Sequence, residues 1–226
     1  MSILDIFKKR EEKEIDLELI KLKTGNFDDF KKRLRSSSLI MLIIGKRGSG
    51  KTALGFKLLD VLSGKRNSYY LGKAKLPHWI KQVEDINKIN NDSIVLVDEA
   101  ALVYSARESM SKSNKFLSNL MAVARHKNLT LILITQNSAM LELNILRLAD
   151  TLLFKEPSLL QAKFERKAIG DLFKKADDAF SKIKEKDKRK YGYIIDDEFE
   201  GLITFNLPEF WNEKISKSYS SYGKSS

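Results

Sequence analysis

The chain has 226 residues, of which 42% are hydrophobic, so it is long and apolar enough for a large globular domain and is not a disordered polymer. It has no cysteine, which excludes disulfides, iron–sulfur clusters and thiol catalysis, and its two histidines are too few for a dedicated zinc site. The formal net charge of +11 favours a polyanionic partner, either nucleic acid or an anionic membrane surface.

The first 38 residues predict a helical appendage to the core. Ile3, Leu4, Ile6 and Phe7 precede a basic triplet, and further apolar residues follow among charged ones. Such amphipathic segments usually pack on the core or on a neighbouring subunit, and attachment to a membrane surface is the less favoured alternative. Because the chain contains no run of about 18 apolar residues and no signal-peptide pattern, we expect a protein of the cytoplasm, or of the host cytoplasm if it is viral.

An apolar strand over residues 39–44 leads directly into the pattern G-x-x-x-x-G-K-T, and a helical stretch from Ala53 to Leu62 follows. This order is typical of a phosphate-binding P-loop, whose curled backbone points N–H groups at phosphate oxygens. In such a loop the lysine reaches the β- and γ-phosphates and the hydroxyl residue ligates Mg²⁺, which gives these roles to Lys51 and Thr52. The predicted nucleotide-binding residues are Gly45, Lys46, Arg47, Gly48, Ser49, Gly50, Lys51, Thr52 and Ala53.

Strand and helix patterns alternate after the P-loop, which predicts an α/β fold with a parallel sheet and crossover helices. The expected strands cover residues 67–71, 94–97, 129–135 and 151–154, and the expected helices cover 78–89 and 114–126. Because the strands are apolar on both faces, we expect a doubly wound core with helices on both sides of the sheet.

The apolar strand at 94–97 ends in two acidic residues, Asp98 and Glu99. An acidic residue at the carboxyl end of a strand near the P-loop completes the Mg²⁺ shell, and Asp98 has that position. The following residue, Glu99, is placed to act as the general base that polarises the attacking water.

The strand at 129–135 is followed by Gln136, our candidate for a sensor of the γ-phosphate and the attacking water, with Thr135 and Asn137 as weaker alternatives. For this role the strand must lie between the P-loop strand and the strand that ends at Asp98. Such an additional strand separates a class of ATPases from kinase-like P-loop folds. A lid with arginines is not recognisable, so hydrolysis is favoured over phosphotransfer to a small molecule.

Charge on the transferring phosphoryl group usually needs an arginine, often one from a neighbouring subunit. Arg125, just before the candidate sensor strand, and Arg147, just after it, are the two candidates. If either acts in trans, the protein must form oligomers.

After Pro157 the sequence changes to a lysine-rich helical pattern over 159–190, followed by a small β element from Tyr191 to Phe205. We therefore divide the chain into an appendage (1–38), a P-loop ATPase core (39–157), a helical and small β extension (158–212) and a tail of disordered composition (213–226).

Four segments resemble the HerA–FtsK superfamily of ring-forming, DNA-pumping ATPases. They are GKRGSGKT at 45–52, IVLVDEA at 94–100, ARHKNLTLILITQ at 124–136 and ILRLADTLLF at 145–154. The resemblance is to the small archaeal, viral and plasmid packaging-type branch, which includes proteins labelled zonula-occludens-toxin-like. It covers roughly residues 39–154, and the block that ends at Gln136 is its more specific part.

This resemblance implies ATP as the nucleotide, Mg²⁺ as the metal, and a homo-oligomer, a hexamer in the family, that threads double-stranded DNA without reading sequence. It also implies that Arg125 occupies the position of the arginine before the sensor strand. A loop at 104–115, with Arg107, Lys112 and Lys115, would face the pore and contact phosphates. Because the chain lacks a recognisable DNA reader, a recruiting protein would choose the target.

The expected function is an ATP-hydrolysing motor that translocates double-stranded DNA in viral genome packaging or plasmid transfer. Two alternatives remain open from the sequence. One is a membrane-associated ATPase of the same fold for phage assembly or protein export. The other is a non-motor, ATP-dependent DNA-binding switch.

Overall fold

The computed structural model describes residues 13–64, 66–72, 74–98, 110–135, 143–158 and 167–212. Its strands are β1 (Leu17–Gly25), β2 (Ile40–Ile44), β3 (Ser68–Leu71), β4 (Ile80–Val83), β5 (Ile94–Val97), β6 (Thr130–Thr135), β7 (Thr151–Phe154), β8 (Tyr191–Asp196) and β9 (Phe199–Phe205). Its α-helices are α1 (Phe27–Ser36), α2 (Lys51–Leu62), α3 (Met110–His126), α4 (Leu143–Leu148) and α5 (Lys167–Ser181), and a 3-10 helix spans Ile86–Lys88.

The strands form one mixed sheet in the order β1-β9-β8-β7-β2-β6-β5-β3-β4. From β7 to β4 every neighbouring pair is parallel. Strand β6 lies between β2 and β5, with Leu42 opposite Leu133 and Leu96 opposite Ile132. The α/β fold with an additional strand is therefore confirmed, and the carboxyl ends of β2, β6 and β5 meet at one edge of the sheet.

Helices cover both faces of the parallel strands, because side chains of a strand alternate between the two faces. On one face α2 packs closely on the sheet: a Cβ added to Gly55 would lie 2.8 Å from Ile134 and 2.9 Å from Leu96. On the other face α3 and α5 bury apolar side chains such as Leu120 and Phe173. Burial of each large side chain stabilises the fold by about 1.5–3 kcal/mol.

The expected helical appendage is wrong for residues 17–25, which form the edge strand β1 paired antiparallel with β9. The apolar residues Ile15, Leu17, Leu19 and Leu22 mostly alternate with charged residues, a spacing closer to the strand period than to the helix period. The helical expectation holds for α1. Its N-terminus is capped by the side chain of Asn26, and its buried face includes Phe30.

The helix expected at 78–89 is also wrong, since this segment contains β4 and the 3-10 helix. Ile80 pairs with Ser68 and so covers the outer edge of β3. Ile80, Val83, Ile86 and Ile89 recur at every third position, a spacing that drifts around an α-helix and so does not give it one straight apolar face.

The chain leaves the helical pattern at Ser181, earlier than the expected end at 190. The residues that follow form a loop, in which the Asp187 carboxylate accepts a hydrogen bond from the backbone N–H of Arg189, 3.0 Å away. A short-range side-chain bond of this kind competes with helix formation. The β8–β9 hairpin then joins the main sheet by antiparallel pairing with β7, with Leu153 opposite Ile194.

Residues 206–212 follow β9 and lie on the face of the sheet that α2 covers, where Phe210 and Trp211 pack near Phe56 of α2. The predicted domain boundaries stay predictions, and the tail from 213 lies outside the described residues.

Candidate active site

The P-loop, residues 45–52, connects the end of β2 to the start of α2. Gly48 has φ +75° and Gly50 has φ +87°, both in the left-handed region that favours glycine. A Cβ added to Gly48 would meet no atom within 4 Å, whereas one added to Gly50 would lie 2.8 Å from the carbonyl oxygen of Arg189. The loop is therefore open at Gly48 and closely covered at Gly50.

The side chain of Lys51 lies against the backbone of its own loop. Its Nζ donates hydrogen bonds to the carbonyl oxygens of Gly45 and Lys46, each 2.9 Å away. The ammonium group is thus kept near the loop amides, within reach of an anion that the loop would bind.

The space beside the P-loop tests whether the loop fits a phosphate. A Cβ added to Gly48 would meet no atom within 4 Å, so this side of the loop has room for that group. The Ser49 hydroxyl is buried elsewhere, beside Gly45: a Cβ added to that glycine would lie 3.1 Å from the Ser49 oxygen and 2.7 Å from the Cβ of Lys155.

Thr52 and Asp98 come together across the end of β6. The Thr52 hydroxyl donates a hydrogen bond to Oδ2 of Asp98 at 3.1 Å, and Asp98 is buried. A hydroxyl and a carboxylate are hard oxygen donors that suit Mg²⁺, which usually takes its remaining ligands from phosphates and water. Among the described residues no group of three or more His, Cys, Asp or Glu could hold a metal ion.

A cavity of about 420 Å³ opens above these residues. Gly48, Gly50, Lys51, Thr52, Ala53 and Asp98 line one side, and Asp187, Arg189, Lys190, Leu207 and Trp211 line the other. This volume lies within the range of small-molecule sites, about 300–1,000 Å³. Sequence reasoning missed the second set, because no motif marks it.

A larger cavity, about 560 Å³, lies between β1 and α5. Its lining includes Lys21, Lys182 and Tyr193 but no P-loop residue and no acidic residue from the end of β5. Chemistry rather than size therefore selects the smaller cavity as the candidate active site.

The end of β7 connects the two sides of the active-site cavity. Lys155 is fully buried, and its Nζ donates hydrogen bonds to the carbonyl oxygens of Arg189, at 2.6 Å, and Tyr191. Burial lowers the pKa of Lys155 to about 7. The backbone carbonyl oxygen of the next residue, Glu156, accepts a hydrogen bond from the backbone N–H of Lys46. The Glu156 carboxylate also forms a 2.6 Å ion pair with the Lys46 ammonium group.

The two candidate arginines lie away from this cavity. Arg125 donates hydrogen bonds to the carbonyl oxygen of Leu148 and to Asp150, whose carboxylate also accepts from the backbone N–H of Ile40 at the start of β2. Arg147 is exposed on α4, just before the start of β7. Both arginines lie at the end of the sheet where β2 and β7 begin, whereas the P-loop lies at the end where β2 finishes. Neither arginine therefore reaches the P-loop of its own chain, and action in trans stays a prediction.

Glu99, Gln136 and the weaker candidate Asn137 lie outside the described residues, as do Arg107 and the side chain of Lys112. The loop expected at 104–115 is wrong for residues 110–115, which form the start of α3 with Lys115 exposed. Thr135, the residue before Gln136, pairs with Ile44 at the end of the P-loop strand. The roles of Glu99 and Gln136 stay predictions.

Comparisons with known proteins agree with the fold. A family model described as Novel STAND NTPase 3 matches residues 22–156. A search of curated proteins finds no significant match. Among solved structures, the genome packaging NTPase B204 from Sulfolobus turreted icosahedral virus 2, in complex with AMP, aligns with a TM-score of 0.51 and 16% identity, covering 75% of this chain and 98% of that chain.

Two further structures align with lower scores. The DNA-packaging ATPase B204 from Sulfolobus turreted icosahedral virus has a TM-score of 0.49 and 20% identity, covering 76% of this chain and 99% of that chain. EssC (ATPases 2 and 3) from Geobacillus thermodenitrificans has a TM-score of 0.49 and 12% identity, covering 81% of this chain and 43% of that chain. The AMP complex of B204 is the match that carries the conclusion on fold.

Proposed function

This chain belongs to the novel STAND NTPase 3 family, and we propose that it hydrolyses ATP with Mg²⁺ to translocate double-stranded DNA. Its family makes it an NTPase. The observation that carries the proposed chemistry is the 3.1 Å hydrogen bond from Thr52 to Asp98, which joins the two motifs at one cavity.

In this proposal the backbone N–H groups of the P-loop bind the phosphates at the open side of the loop beside Gly48. Lys51 leaves the carbonyl oxygens of Gly45 and Lys46 for the β- and γ-phosphates, where its charge is better compensated. Thr52 and Asp98 would hold Mg²⁺, which when bound neutralises charge on the β- and γ-phosphates.

Hydrolysis then needs a group that takes the proton of the attacking water and a group that orients this water. We assign the first role to Glu99 and the second to Gln136. We expect Glu99→Gln to bind ATP and to stall before hydrolysis, whereas Lys51→Ala should lose nucleotide binding. Normal hydrolysis by Glu99→Gln would remove the general-base assignment.

DNA as the moved substrate is supported by the net charge of +11 and by the fold shared with B204, which is named as a genome packaging NTPase. Translocation of a duplex by a ring would need several subunits, and a hexamer with Arg125 or Arg147 acting in trans meets that need.

A recruiting protein would select the DNA, and we place the motor in the cytoplasm. In the described part of the chain, no helix is both long enough and apolar enough to cross a bilayer.

Steady-state ATP hydrolysis with and without long double-stranded DNA, at low and near-physiological salt, tests this function. We expect stimulation by DNA that fades as salt rises, because phosphate contacts release counterions. Lys51→Ala is the control for contaminating ATPases. A rate that DNA leaves unchanged would contradict the DNA motor and favour the membrane or protein-export ATPase. Stimulation without displacement of a triplex-forming strand would instead favour the non-motor switch.

A further inference from the structure

The side of the cavity that faces the P-loop comes from the C-terminal part of the same chain. We call Asp187, Arg189, Lys190, Leu207 and Trp211 the C-terminal roof. P-loops bind phosphates and leave the base and much of the phosphate charge to other residues. The roof places a cationic side chain and an aromatic ring at the same cavity.

The first part of the roof, residues 187–190, is fixed to the core by contacts around its backbone. The carbonyl oxygen of Arg189 accepts a hydrogen bond from buried Lys155 and lies over Gly50 of the P-loop. The carbonyl oxygen of Lys190 accepts from the backbone N–H of Phe205 at 3.0 Å and from the Thr204 hydroxyl at 3.1 Å. The backbone is therefore held beside the P-loop, while the Arg189 side chain, 70% exposed, can change partners.

Arg189 is paired within the roof. Its Nε and one terminal nitrogen donate to the two oxygens of Asp187 at 2.9 and 2.8 Å, a bidentate pair. Both side chains are mostly exposed, so water competes with the pair and its contribution is small. A triphosphate in the same cavity offers more negative charge in the geometry that a guanidinium recognises.

The second part of the roof is apolar. Trp211 packs against Phe56 of α2, with ring centroids 5.7 Å apart, and its backbone N–H donates to the carbonyl oxygen of Pro208 at 2.8 Å. Leu207, which lines the same cavity, is 57% exposed. An aromatic ring and an exposed leucine provide the surface on which a nucleotide base stacks.

We propose that the C-terminal roof binds the nucleotide of its own subunit, with Arg189 exchanging Asp187 for the phosphates and Trp211 packing on the base. This proposal rests on the proposed function only in that a nucleoside triphosphate is the ligand. It assigns ligand contacts far from the P-loop in sequence, and it makes the Arg189–Asp187 pair respond to the nucleotide.

The chain has two tryptophans, so fluorescence can follow one of them at a time. Trp79 packs against Phe210 at 5.6 Å but does not line the cavity, and it serves as the matched control. Titration with Mg²⁺ and ATPγS should change the emission of wild type and of Trp79→Phe, and leave that of Trp211→Phe nearly unchanged. A response that persists in Trp211→Phe and vanishes in Trp79→Phe would overturn the assignment of Trp211.

Calorimetric titration with ATPγS and AMP tests Arg189. We expect Arg189→Ala to weaken ATPγS binding by about tenfold, typical of losing a charge-assisted hydrogen bond, and to leave AMP binding much less affected. Asp187→Asn, which frees Arg189, should tighten ATPγS binding, and Arg189→Lys should restore part of the loss. Lys174→Ala, which removes an exposed cation on α5, should match wild type.

Circular dichroism and thermal unfolding would show that each variant is folded before its affinity is compared. If wild type binds ATPγS but Lys51→Ala does not, and Arg189→Ala behaves like Lys174→Ala, the roof proposal fails while the nucleotide site stands. If wild type does not bind ATPγS, or binds it no better than Lys51→Ala does, both proposals fail.

Discussion

The Nζ atom of Lys155 lies 2.6 Å from the carbonyl oxygen of Arg189, so the end of a central strand holds the loop that covers the P-loop. The same ammonium donates to the carbonyl oxygen of Tyr191 and lies 4.6 Å from the centre of the Phe205 ring. A buried lysine thus joins the parallel half of the sheet, which carries the P-loop, to the antiparallel half, which carries the C-terminal roof.

The first prediction concerns the pH dependence of stability that this lysine causes. Burial lowers the pKa of Lys155 from 10.5 to about 7, so between these values the unfolded chain binds a proton that the folded chain does not. We therefore expect the free energy of unfolding to rise with pH across this window, by up to about 1.4 kcal/mol per pH unit. Below pH 7 both states are protonated and the slope disappears.

Urea unfolding of wild type and Lys155→Met at pH 7, 8 and 9 measures this slope. The methionine variant should lose the rise, because it keeps an unbranched side chain of similar length that does not titrate. Parallel pH profiles for the two proteins would show that Lys155 titrates normally and that the pKa assigned to it is wrong.

The second prediction compares two glycines of the P-loop. Both have positive φ, so replacement by alanine strains the backbone at each and costs about 1–2 kcal/mol. Gly48 faces open space, whereas a Cβ on Gly50 would overlap the carbonyl oxygen of Arg189. We expect Gly50→Ala to lower the free energy of unfolding by more than Gly48→Ala, as measured by urea unfolding. Equal losses in the free energy of unfolding would mean that the backbone of residues 187–190 does not closely contact Gly50.

The sequence predicts the parallel part of the fold because its information is local. The apolar strands β2, β5, β6 and β7 are each flanked by a motif or a turn, and each lies where we expected it. Strand β1 was missed although its apolar and charged residues mostly alternate, and its pairing with the distant strand β9 carries no local signal. Strand β4 has only four residues and lies at the sheet edge, where it pairs with β3 alone, so its own sequence gives a weak signal.

The residues of the candidate active site divide in the same way into predicted and missed ones. Lys51, Thr52 and Asp98 were predicted because phosphate and Mg²⁺ chemistry requires those residue types at fixed places after two strands. Arg189 and Trp211 carry no such signature. They reach the cavity because β8 folds back antiparallel on β7 and the chain after β9 crosses to α2, which local sequence does not encode.

The third prediction concerns the buried ion pair that fixes α1 to the hairpin. Arg33 donates to Asp196 at 2.6 Å, the Asp196 side chain is fully buried, and the Thr151 hydroxyl donates to the same carboxylate. Arg33→Ala would leave a buried carboxylate without its cation, so we expect a loss of about 3–5 kcal/mol in the free energy of unfolding.

Lys32→Ala on the same helix is the control. Lys32 pairs with Asp29 at 2.9 Å on the surface, where both side chains are largely exposed, and such pairs contribute about 0–1 kcal/mol. Chemical denaturation of both variants measures the difference. A loss for Arg33→Ala no larger than that for Lys32→Ala would show that the Asp196 carboxylate is compensated by other groups.

The fourth prediction separates metal binding from nucleotide binding. Thr52→Ala and Asp98→Asn each remove one oxygen group of the proposed Mg²⁺ site, but they leave the P-loop backbone and Lys51 in place. We expect both variants to bind ATPγS like wild type in EDTA and to lose most of the gain in affinity that Mg²⁺ gives wild type. Calorimetric titration with and without Mg²⁺ measures this gain, with Thr24→Ala on the exposed edge of β1 as the control. A full gain in Asp98→Asn would exclude Asp98 from the metal site, whereas loss of binding in EDTA as well would show that the Thr52–Asp98 bond shapes the P-loop itself.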